Sequence, residues 1–167
     1  MFELRRLSKD GIEAALKKAE RYRLLNEAWE AECICRDVLE IEPTNQQALV
    51  DLLLCLTDQY DSQESADPSV AQALLPRLAT DYSQAYYAGI ICERWAKRVL
   101  RRNVPGTRPL VYDWLRRAMD HFERAEAMHR PHDDSALLRW NTCARLIMSN
   151  DQIRPARRED AAPIQSE

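Results

Sequence analysis

Glycine is scarce in this chain: there are three glycines in 167 residues. That excludes a glycine-rich phosphate loop and leaves little of the positive-φ punctuation that hairpin-rich β folds need. Long apolar runs are missing too. The best of them, ALVDLLLCL, is interrupted by Asp51 and falls far short of the ~20 residues of a membrane-spanning helix. The opening MFELRRLSKD lacks the apolar stretch of a signal peptide, so a cytoplasmic protein is expected. Histidine is limited to His121, His129 and His132. The last two, with Asp133 and Asp134, straddle a proline-ended turn that reads as surface rather than as a metal site. With no HExxH and no nucleophile elbow, neither an enzyme active site nor a cofactor is expected.

Few β-branched runs and apolar residues at helical period point to an all-α chain. Its length suits one compact domain, over residues 1–150, with residues 151–167 expected to be a disordered tail. Helices are predicted over about 11–25, 27–41, 45–60, 81–103 and 109–129, and from Asp133 or Asp134 to about Ser149. Ser8 or Asp10 is the expected cap of the first. A shorter one starts at Asp67-Pro68 and should break or kink at Pro76. Cys33, Cys35, Cys55, Cys92 and Cys143 are odd in number and lie on apolar faces, which favours buried reduced thiols. Trp29, Trp95, Trp114 and Trp140 fall one per helical region, and most of them read as core or inter-helix packing. Arginine far outnumbers lysine, a weak pointer to a GC-rich, bacterial source.

The stretch AERYRLLNEAWEAECICRDVLEIEP is the most informative in the chain. Ala19 and Tyr22 are followed by Ala31, Cys35 and Val38, and Pro43 closes the unit. This spacing resembles the tetratricopeptide (TPR) repeat, although Ala15 and Lys18 replace its usual Trp and Leu. Further on, Gly89 takes a small helix-A position, and Ala118, Phe122 and Ala125 repeat the helix-B spacing. The resemblance implies a superhelix of about three helix-turn-helix units plus a C-terminal capping helix.

It also implies a function. In that family the first helix of each unit lines a concave groove that holds a segment of a partner protein, without chemistry. Transferred here, the groove residues are Glu20, Arg23 and Leu24, then Leu54 and Asp58, then Tyr86, Glu93 and Arg94, and finally Arg145. Leu16 and Glu20 stand where one subclass carries a carboxylate clamp, so the C-terminal tails of chaperones are not the expected partners. Two other readings stay open. Residues 1–81 carry sixteen acids against nine bases, whereas Arg94–Arg117 holds eight bases and one acid. That basic hairpin could contact nucleic acid, with Trp95 and Tyr112 as stacking groups, although the net charge of -3 argues for a solvated face that pairs with the acidic half. The groove could instead be filled by the terminal helix or by a second copy of the chain.

Overall fold

The computed structural model describes residues 2–63, 66–128 and 131–156, and among them every regular element is helical. The helices are α1 (Ile12–Leu24), α2 (Ala28–Ile41), α3 (Gln46–Asp58), the short α4 (Pro68–Gln72), α5 (Asp81–Arg102), α6 (Arg108–Ala127) and α7 (Ser135–Met148). Their starts follow from local chemistry. The Asn45 side chain accepts the Ala48 N–H at 3.0 Å, Asp67 accepts that of Ser69 at 2.8 Å, and Thr80 accepts that of Ser83 at 3.1 Å. Each of these satisfies a backbone donor that the first helical turn leaves open. The expected caps of α1 do not act. Ser8 instead opens a 3₁₀ turn, Lys9–Gly11, and no side chain caps α1. Asn26 and Asn103 supply the left-handed residues that end α1 and α5, at φ 61° and 49°.

Consecutive helices pack as hairpins: α1 on α2, α2 on α3, α5 on α6, α6 on α7. The odd-numbered helices are also neighbours, α1 against α3 and α3 against α5. Ala19 and Ala31 are both fully buried, which lets α1 and α2 approach closely, and Cys35, Leu49 and Leu53 fill the space beneath them. In the α5–α6 hairpin Gly89 packs directly against Phe122. A Cβ added to Gly89 would lie 2.5 Å from the Phe122 ring, so only glycine fits. Ala118, Phe122 and Ala125 are all fully buried, as their spacing predicts.

The helix that follows α3 is cut short. Helix α4 stops at Gln72, four residues before Pro76, whose ring would collide with that residue's carbonyl in a continued helix. A 3₁₀ turn, Leu75–Arg77, follows instead. It is tied to the start of α3, where Gln46 donates to Arg77 O at 3.2 Å and accepts the Ala79 N–H at 2.8 Å.

Two expectations need correction. Trp29 is not core: it lies in the first turn of α2 on the solvent side and is 62% exposed. The core also runs past the boundary at residue 150. Ile153 is 2% exposed and packs into the α5–α7 cluster, so the chain is anchored beyond α7. The rest of the predicted tail, residues 157–167, lies outside the described residues, as do positions 129–130 of the histidine turn. No helix among the described residues is long and apolar enough to cross a membrane.

Candidate interaction groove

A chain of ion pairs crosses the odd-numbered helices. Arg23 of α1 donates through Nε to Asp58 of α3 at 3.0 Å, and its Nη2 lies at the same distance from that carboxylate oxygen. The other Asp58 oxygen accepts from Arg94 of α5 at 2.5 Å. Arg94 Nη1 also donates to Thr57 Oγ1 at 2.5 Å and to Leu54 O at 3.2 Å. One residue earlier in α5, Glu93 is fully buried and pairs with Lys97 of its own helix. It also pairs with Arg139 of α7, at 3.3 Å and 3.4 Å. Burial alone would lower the pKa of Arg139, but the Glu93 carboxylate raises it. The layer is thus laced from α1 to α7 by alternating charges.

This geometry divides the predicted groove residues. Glu93 is an internal anchor with no surface to offer. Arg94 is mostly enclosed and its guanidinium is occupied, so it stabilises the α3–α5 contact rather than waiting for a partner's carboxylate. Replacing Arg94 should therefore cost stability. Leu54 is half-buried and packs against both halves of the core. Tyr86 is committed as well, its ring packed with Tyr82, Tyr87 and Phe122 at centroid distances of 5.8, 5.2 and 5.9 Å. Arg145 is exposed and makes no ion pair among the described residues, at the far end of the layer on α7.

What remains open is the α1 end. A cleft of about 340 Å³ is bounded by Glu20, Arg23, Leu24, Asn26, Ala28 and Asp58. A second, of about 360 Å³, is lined by Glu13, Leu16, Lys17, Glu20, Arg23, Gln47 and Asp51. Glu20 and Arg23 border both, so the two form one trough along α1 and α3. Its charges are mostly carboxylates. Lys17 is bound to Glu13 at 2.6 Å, and Arg23 is held by Asp58 with Asp51 3.9 Å away. Asp51 is buried, which raises its pKa, while a hydrogen bond from Gln47 and the charge of Arg23 oppose the rise. Sequence reasoning missed Asp51 as a trough residue and treated it only as a break in an apolar run. Its place one turn after Gln47 on the same helix face was the available signal.

The basic hairpin is largely spent inside the molecule. Arg98 is buried and donates to Tyr60 O at 2.5 Å and Gln63 O at 2.9 Å, with its guanidinium 4.7 Å from the Trp95 ring centre. Arg101 pairs with Asp61. Arg108 bonds Asn103, Arg116 pairs with Asp120, and Arg117 covers Trp114. Of the eight bases only Arg102 has no such partner among the described residues. The stacking surfaces are taken too, since Trp95 packs edge-on with Tyr60 and Trp114, and Tyr112 packs against the α5–α7 core.

The cysteines are free thiols, and all but Cys33 are buried. A hydrogen bond with Cys55, together with burial, pushes the Cys35 thiol far up; burial pushes Cys92 up to about 11 and Cys143 up to about 12. None of these three forms the reactive thiolate at neutral pH. No cluster of three metal-ligating side chains occurs among the described residues. Comparison with family models, curated proteins and solved structures finds no match.

Proposed function

We propose that the chain is a cytoplasmic, bacterial, non-catalytic interaction module. Its odd-numbered helices form the concave face of a TPR-like superhelix and hold a segment of a partner protein. The observation that supports this most is the continuous trough along α1 and α3, where the apolar Leu16 and Leu24 adjoin Glu20, Asp51 and Asp58. Apolar surface beside positioned charge is what fixes the register of an extended segment. Because Glu20 is the trough charge left unpaired among the described residues, the segment carries lysine or arginine next to an aliphatic side chain.

A peptide array that varies basic and aliphatic positions tests the reading. Glu20→Lys combined with Leu24→Asp should weaken capture of the selected peptides about tenfold or more. Both side chains are exposed, so the melting temperature should stay within about a degree. Capture that survives the double substitution, or an array in which acidic peptides win, would remove the trough as the binding site. Arg145→Ala serves as the control on the same layer.

A further inference from the structure

Three of the exposed apolar side chains are grouped at one turn. Leu24, Leu25 and Trp29, exposed by 79%, 60% and 62%, meet at the α1–α2 turn. Around them stand Glu20, Glu27 and Glu30, all exposed and without an ion pair among the described residues. A second exposed set has the opposite charge. Residues 2–7 form no regular element ahead of the Lys9–Gly11 turn, with Phe2 at 103% and Leu4 at 84% exposure. Glu3 stands between these two, and Arg5 and Arg6 follow, both exposed and without a partner among the described residues, so the arm is net basic. The arm is not wholly loose, because Leu7 packs against the cluster of Ile12 and Val38.

Leu7 also decides which turn the arm can reach. From it, five extended residues take Phe2 at most ~17 Å away. From Ile12 to Leu25 the helix advances by ~20 Å. The arm is therefore anchored at the wrong end of α1 to cover its own α1–α2 turn. We infer that the Phe2–Arg6 arm of one copy docks on the Leu24–Leu25–Trp29 surface of a second copy, with Arg5 and Arg6 meeting Glu27 and Glu30. Reciprocal exchange closes a two-fold dimer and covers both apolar sets at once. Two short arms bury less than a standard interface, so the dimer is concentration-dependent and weakened by salt.

Sedimentation velocity on the intact chain, from micromolar to near-millimolar concentration, tests this. The weight-average mass should rise toward twice the monomer mass, and less steeply in high salt. Phe2→Ala with Leu4→Ala should hold the chain monomeric, and so should Trp29→Ala, with unchanged melting temperatures because these side chains are exposed. Glu27→Arg with Glu30→Arg should also abolish association, and adding Arg5→Glu with Arg6→Glu in the same chain should restore it. A wild-type chain that stays monomeric throughout, or association that persists in the Phe2/Leu4 variant, overturns the inference. Leu24 borders both surfaces, but Phe2 and Leu4 lie outside the trough, so the Phe2/Leu4 variant should lose association while keeping peptide capture.

Discussion

The two ends of the odd-numbered helix layer use the same kinds of residue for opposite ends. Around α5 and α7 the charges are enclosed: Glu93 has no exposed surface, and Lys97 and Arg139 close over it. Along α1 and α3 the charges stand at the rim of an open trough, with Glu20 unpaired among the described residues. Residue type does not separate the two. What separates them is cover, because Lys97 and the α7 residues Arg139 and Cys143 lie against Glu93, whereas Glu20 is exposed. Charged residues on one helix face can thus be framework at one end and open to solvent at the other.

The largest effect that would test this contrast is at Glu93. Glu93→Ala leaves two cations facing an apolar hole and should cost about 3 kcal/mol, lowering the melting temperature by roughly 6–12 °C. Glu20→Ala should move it hardly at all. Equal behaviour of the two in thermal denaturation would erase the distinction. Slightly smaller is the loss expected for Arg98→Ala, about 2 kcal/mol, since the Tyr60 and Gln63 carbonyls lose their donor and Trp95 its cover. Arg102→Ala, on the same helix, should be neutral by chemical denaturation. Gly89→Ala should cost about 1–3 kcal/mol through collision with Phe122, and Phe122→Leu in the same chain should recover part of it.

The smallest effect concerns pH. Burial raises the Asp51 pKa above its ordinary 3.8, so the folded chain keeps this proton to higher pH than the unfolded chain does. Its contribution to stability is therefore least unfavourable below pH 3.8 and worsens as pH rises through the folded value. Asp51→Asn removes that ionisation. It should melt slightly higher than the parent at neutral pH, with the gap closing on acidification; a gap that widens on acidification would show that Arg23 dominates the site.

Much of the helical framework was legible in the sequence. Asn45, Asp67-Pro68 and Thr80-Asp81 mark helix starts with local chemistry, and Ala19, Ala31, Gly89 and Phe122 announce close helix contacts through side-chain size alone. The groove was legible only as a face. Periodicity placed Arg23, Asp58, Glu93 and Arg94 on adjoining helices, but which of them are consumed by one another depends on distances between α1, α3, α5 and α7 that no local pattern encodes. Trp29 misled for a related reason: its position on the outer side of the first turn of α2, rather than its size, decides its exposure. Ile153 was hidden by its polar neighbours.

The account stands or falls on whether the inner-face cations are committed to the fold, and a double-mutant cycle on Arg94 and Asp58 measures that directly. With a half-buried pair at 2.5 Å, denaturation of the two single variants and the double should give a favourable coupling of about 1 kcal/mol or more. A coupling within about 0.3 kcal/mol of zero would contradict it and return Arg94 to the set of side chains free to bind a partner.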